Sequence, residues 1–393
     1  MLRTEYAHLK SWKNQPARRP LILRGPRQVG KTWLLREFCK AEYADCVYID
    51  LEDNERMSAL FSEVTGAEQL ITGLELYAGR RIDPANTALI LDEIQAVPRA
   101  ASCLKLFAKD APQYHVLCAS SGLDALLRTG ADFPAEWVEI VNLHPLSFFE
   151  FLTAAGKDEL VELLRQRRYD LTPSYRQEYV SYLKYYLFVG GMPEAVEAFR
   201  AGRDFAAARE AQRRVLSVYE QSFTKYAPAD ILPRIRMLWD SIPRQLDREN
   251  RKFVFGAMKE GARAREFEPA LFWLTDNGLA RDVHRASVPE PPLSASEDPR
   301  AFKLYLPDVG LLGCLLGLRQ DALLDGNAVF HAYHGALTEQ YVLQQLDALD
   351  RLEICYWIAP RGTAEIEFLA DNCIHAIPIE VTAEQNLQSK KLK

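Results

Sequence analysis

The stretch Gly25-Pro26-Arg27-Gln28-Val29-Gly30-Lys31-Thr32 decides how this chain is read. A short β-prone run, Pro20-Leu21-Ile22-Leu23-Arg24, comes before it, and Trp33-Leu34-Leu35-Arg36-Glu37-Phe38, helical in composition, comes after. Strand, then G-x-x-x-x-G-K-T, then helix is the context a phosphate-binding loop needs. Glycines let the backbone wrap close to phosphates, so that its N–H groups and the positive end of the helix face the anion. The binding set is therefore Gly25, Pro26, Arg27, Gln28, Val29, Gly30, Lys31, Thr32 and Trp33. Lys31 is expected to reach the β- and γ-phosphates of ATP, and the Thr32 hydroxyl to hold Mg²⁺.

The partner motif is Ala88-Leu89-Ile90-Leu91-Asp92-Glu93-Ile94-Gln95. A continuous apolar run fits a buried parallel strand, and acids at its carboxyl end fall in the crevice where such sheets bind ligands. Asp92 is placed to orient the Mg²⁺ shell, and Glu93 to polarise the attacking water. Three further β-prone runs, at 46–51, 115–121 and 137–141, alternate with helical stretches, which predicts a parallel α/β sheet covered on both faces. Ser120 or Ser121, polar at the end of a strand, either bonds the water or γ-phosphate or caps the next helix. Arg128, in the last turn of that helix, is either an arginine finger acting in trans or a cation complementing the helix dipole.

Composition narrows the setting. The 393 residues allow two or three domains, and 48% apolar with 26% charged residues is the balance of an ordinary globular protein. A net charge of −6 offers no global attraction for nucleic acid, so DNA contact has to be local. No apolar run approaches a membrane span and the N-terminus lacks a signal-peptide pattern, so the expectation is a cytoplasmic protein with no membrane contact. Seven cysteines, at 39, 46, 103, 118, 314, 355 and 373, include no C-x-x-C pair and read as reduced thiols filling cores.

The set GPRQVGKT, LILDEIQ, CASSG and NLHPLSFFEFL resembles the AAA+-type P-loop ATPases of bacteria and archaea whose C-terminal part is the DUF4143 domain. The resemblance continues through Val189-Gly190-Gly191-Met192-Pro193-Glu194 and Phe302-Lys303-Leu304-Tyr305-Leu306-Pro307-Asp308, and so covers nearly the whole chain. It implies an AAA+-like ATP-binding domain over 1–155, a helical and winged-helix-like region over 156–287, and a restriction-endonuclease-like α/β region over 300–393. The chain also departs from the pattern. Phe133-Pro134-Ala135-Glu136-Trp137 lacks the basic residue that relatives carry before the fifth strand, and Ser222 stands where an Asp is expected.

In the middle, residues 179–187 and 206–212 carry helical periodicity, and Gly190-Gly191 breaks between helices. Residues 242 through 279 resemble a small winged-helix unit, and the cluster Arg248, Arg251, Lys252, Lys259, Arg263 and Arg265 within it is locally basic, as a DNA-reading helix requires. Glu249, Glu260, Glu266 and Glu268 interleave, which favours a solvated, ion-paired face over more than a weak DNA contact. The Pro- and Ser-rich run 288–299 reads as a connector.

In the C-terminal part, a helix from about 335 to 349 carries Glu339, and strands carry Glu367 and Glu380. Nuclease chemistry of the resembled kind needs a lysine two residues past the second acid, where this chain has Thr382. A hydroxyl supplies no positive charge, so a retained binding or docking module is expected there, shortened by the early end at Lys393. The function this supports is slow Mg²⁺-dependent ATP hydrolysis coupled to conformational change, in a chain that can form oligomers and acts on an unidentified protein partner. A nucleotide-controlled scaffold without turnover and, behind it, a metal-dependent nuclease are the alternatives.

Overall fold

The computed structural model describes residues 1–128, 133–248, 251–321, 335–349, 352–359 and 364–381. The chain divides into two compact units, one of Met1–Leu143 with Asp276–Gly278, the other of His144–Thr275 with Leu279–Lys393.

In the first unit, α1 (Glu5–Lys13), β1 (Leu21–Arg24), α2 (Lys31–Glu42), β2 (Asp45–Asp50), α3 (Glu55–Glu63), α4 (Ala67–Ala78), β3 (Thr87–Asp92), α5 (Pro98–Asp110), β4 (His115–Ser120), α6 (Leu123–Arg128) and β5 (Glu139–Asn142) follow in order. The five strands form one parallel sheet ordered β2-β3-β4-β1-β5. Every residue of β3 is buried, as an apolar run covered on both faces requires. On α5, Ala100, Ala101, Leu104 and Phe107 recur at helical spacing and are buried in the core. Burying side chains the size of Leu104 and Phe107 contributes roughly 1.5–3 kcal/mol each. Because β1 lies inside the sheet, the loop that follows it opens at the sheet's carboxyl edge beside the ends of β3 and β4.

The second unit begins with α7 (Phe148–Ala154), α8 (Asp158–Arg165), α9 (Arg176–Val189), α10 (Pro193–Arg200), α11 (Phe205–Tyr226), α12 (Leu232–Leu246) and α13 (Ala264–Asp276). Then come β6 (Arg281–Ala286), β7 (Glu297–Tyr305), α14 (Val309–Leu315), α15 (Ala336–Asp347), β8 (Glu353–Ile358), β9 (Glu365–Asp371) and β10 (Ala376–Ile379). Its sheet is ordered β10-β9-β8-β6-β7, parallel only between β6 and β8.

Gly190 and Gly191 do more than turn the chain between α9 and α10. Gly190 has φ +74°, and the Gly191 N–H donates to Asp308 Oδ2 at 2.5 Å. A β-carbon on either would collide with Asp308 or with the Leu146 backbone. Asp308 also accepts from Leu311 N–H and from Gln344 Nε2, and burial pushes its carboxyl up to about 6. Ser222 is buried on α11, where its hydroxyl donates to the Tyr219 carbonyl at 2.6 Å.

Three expectations change here. The run 288–299 is no connector: it spans the loop between β6 and β7, with Leu293 wholly buried against Ala286, Cys355, Ile366 and Leu369, and its last three residues start β7. Among the described residues, the basic cluster does not share one helix either. Residues 242–246 end the 15-residue α12, Arg248, Arg251, Lys252, Lys259 and Arg263 lie between it and α13 outside any α-helix, and Arg265 is on α13. Arg251 is turned inward, ion-paired to Glu339 on α15 with its side chain 13% exposed, so it is no surface cation for DNA. Cys373 is exposed, unlike the buried Cys39, Cys103, Cys118 and Cys355. Among the described residues, no helix is long and apolar enough to cross a membrane.

Candidate nucleotide site

The phosphate loop leaves β1 at Gly25, whose N–H donates to the Ser120 carbonyl at 3.2 Å. A β-carbon at Gly25 would strike the Leu143 carbonyl oxygen, so the motif's first glycine is required by close backbone approach. Gln28 at φ +68° and Gly30 at φ +91° turn the loop through the left-handed region before α2 begins. Such turns direct successive N–H groups into one concavity. Val29 is buried, and its carbonyl accepts from Arg3 Nη1 at 3.1 Å, so a residue of the N-terminal segment holds the loop from behind. Trp33, counted with the binding set, is 48% exposed.

Lys31, at the start of α2, is buried, and its ammonium donates to the carbonyls of Gly25 at 2.9 Å and Pro26 at 2.8 Å. Burial lowers its pKa to about 8 against the opposing pull of the Glu93 and Asp92 charges. Thr32 Oγ1 donates to Asp92 Oδ2 at 2.7 Å, which joins the two motifs across 60 residues. Tyr48, on β2, donates to the same oxygen at 2.9 Å, and the Glu93 N–H donates to Oδ1 at 3.0 Å.

Glu93 sits just past β3 at φ +49°, a conformation few side-chain-bearing residues adopt. Ser121 Oγ donates to both its carboxylate oxygens, at 2.8 and 2.9 Å, and Gln95 Nε2 donates to one of them. Gln95 Oε1 in turn accepts from Ser120 Oγ at 2.7 Å. Burial works to raise the Glu93 carboxyl, but the Lys31 and Arg27 charges and the two side-chain donors outweigh it and hold the group below its usual range. Both serines therefore serve this carboxylate network, Ser121 directly and Ser120 through Gln95. Arg128 ends α6, and its side chain lies outside the described residues.

The structure thus brings Lys31, Thr32, Asp92, Glu93 and Ser120 to one edge of the sheet. Sequence reasoning missed Arg3, Tyr48 and Gln95; only Gln95, two residues past Glu93, carried a local signal. The groups present fit a nucleotide with its metal: a loop turned by positive φ, a buried ammonium at its mouth, and a hydroxyl paired to a carboxylate.

Comparison with known proteins agrees. Residues 17–152 match the family model described as an AAA domain. This part of the chain is similar to AAA-type P-loop domains. Residues 180–322 match a domain of unknown function, DUF8612, and neither match carries the likeness to the DUF4143 family further. No functionally curated protein matches the chain. Among solved structures it is similar to the Walker-type ATPase PABY2304 of Pyrococcus abyssi, at 12% identity over 79% of this chain and 94% of that one, with a TM-score of 0.48. It is also similar to the ORC1 protein of Aeropyrum pernix in complex with DNA, at 13% identity over 82% and 95%, with a TM-score of 0.32.

Among the described residues, the second unit's acids form no comparable centre. Glu367 is buried and accepts from the Val381 N–H at 3.1 Å, and Thr382 lies outside the described residues. Glu339 is engaged by Arg251, by Tyr305 Oη at 2.9 Å and by the buried Lys303 ammonium at 3.6 Å, which also contacts Glu365 at 2.7 Å. Among the described residues, no three His, Cys, Asp or Glu side chains converge to hold a metal.

Proposed function

We propose that the AAA-type domain binds ATP with Mg²⁺ and hydrolyses it slowly, with the nucleotide state setting the conformation of the rest of the chain. The observation that carries this is the 2.7 Å bond from Thr32 to Asp92, which places the end of the phosphate loop against the carboxylate that follows the buried strand. Lys31 exchanges the Gly25 and Pro26 carbonyls for phosphate oxygens, and the loop N–H groups hold the anion. Magnesium, when bound, neutralises phosphate oxygens that gather charge during transfer. Thr32 and Asp92 hold that side of the site. A Glu93 carboxylate oxygen takes the proton of the attacking water, and ADP and phosphate leave.

A scaffold that binds ATP without turnover is the second reading. It is favoured by the engagement of both Glu93 oxygens by Ser121, with Gln95 on one, which leaves the base occupied. ATP binding and phosphate release measured on one preparation decide between the two. Wild type should bind ATP with Mg²⁺, Lys31→Ala should lose roughly 30-fold or more in affinity, and Glu93→Gln should keep affinity while losing about 100-fold or more in turnover. Binding without release in wild type selects the scaffold, and absence of binding removes both readings.

A further inference from the structure

Asp92 Oδ2 accepts two hydroxyl donors, Thr32 from α2 and Tyr48 from β2. Only the first belongs to the phosphate loop. β2 pairs with β3 in parallel, Tyr48 opposite Ile90 and Asp50 opposite Asp92, so Tyr48 reaches along the strands by two residues to meet the carboxylate. Its ring is fixed from the other side as well. The Arg36 guanidinium carbon lies 3.8 Å from the ring centroid, and Arg36 follows Thr32 by four residues, so both project from the same face of α2.

We infer that Tyr48 is a positioning residue for the metal side of the nucleotide site. Its hydroxyl fixes the Asp92 carboxylate in the rotamer that meets the Thr32 hydroxyl, and Arg36 ties that arrangement to the helix that starts at the phosphate loop. The Asp92 side chain turns about two torsions; the Glu93 N–H holds Oδ1, and without Tyr48 the Oδ2 atom is held by Thr32 alone. A second donor from a neighbouring strand removes that freedom before any metal arrives, which is preorganisation for a divalent cation. Phosphate binding itself runs through Lys31 and the loop backbone, which Tyr48 does not touch in these contacts. The role of Tyr48 is therefore separable from anion binding.

This inference rests on the ATP-binding reading above. The test measures ATP affinity of the full chain in EDTA and across a Mg²⁺ titration, for wild type and Tyr48→Phe. The variant keeps the ring and its stacking with Arg36 and removes only the hydroxyl. Its EDTA affinity should stay within about twofold of wild type, while the half-saturating Mg²⁺ concentration rises about tenfold, the size expected for losing a hydrogen bond to a charged group. Equal weakening in EDTA and in Mg²⁺ would mean a merely structural tyrosine and overturn the inference, as would an unchanged Mg²⁺ midpoint. A wild-type chain that binds ATP in a Mg²⁺-dependent way beside an unchanged variant removes the role of Tyr48 alone. A wild-type chain without ATP affinity removes the ATP reading and this inference together.

Discussion

Lys31 and Lys303 are both buried lysines near carboxylates, and they are held in different ways. Lys31 rests on two backbone carbonyls, with Thr32 and Tyr48 gathered on Asp92 close by. Lys303 lies between Glu339 and Glu365, with Arg251 on the same Glu339 and the Tyr356 ring centroid 5.0 Å away. The first arrangement leaves a positive charge on neutral acceptors that an anion can displace. The second neutralises its charges internally and has nothing to exchange. A lysine and acids in one neighbourhood are therefore no sign of chemistry until the partner of each charge is known.

The largest effect should come from breaking the closed network. Glu339→Ala leaves Arg251 and Lys303 short of a buried counter-charge, and denaturant unfolding should show a loss of about 3–5 kcal/mol. ATP affinity should be unchanged in the same variant. A variant as stable as wild type would mean that the network does not hold the second unit together.

A smaller effect sharpens the open site. Lys31 is brought down to about 8 by burial, and phosphate needs its charged form. The proton is lost as pH rises through that value, so ATP affinity should be flat below pH 7 and fall about tenfold between pH 7 and 9. Isothermal titration at a series of pH values reads this directly, and affinity that is level to pH 9 contradicts the exchange of carbonyls for phosphate.

The smallest effect concerns the base. If Ser121 and Gln95 hold Glu93 back, Ser121→Ala should raise phosphate release a few-fold, since a bond to a charged group is removed. A fall would show instead that the serine helps to place Glu93 or the water.

Much of the first unit was legible because its signals are local. Residues 20–38 give strand, loop and helix in one reading, and β3 announces itself by an unbroken apolar run that ends in acids. Tyr48 was not legible, since its bond to Asp92 depends on the register of two parallel strands 44 residues apart. Arg251 misled for a similar reason. Its neighbours in sequence are basic, and the acid it pairs with lies 88 residues away on α15. The run 288–299 has the composition of a linker, and only the burial of Leu293 among four residues of the neighbouring chain segments shows that it closes a hairpin.

The Lys31 ammonium already has two good acceptors before any ligand arrives. A newcomer must outbid both carbonyls, and one phosphate group meeting one ammonium gains little over what it displaces. Two or three linked phosphates also gather the loop N–H groups, and only such a chain clears the threshold. On the ATP-binding reading proposed above, discrimination against inorganic phosphate and nucleoside monophosphates would then come from the bonds Lys31 makes with the loop's own carbonyls.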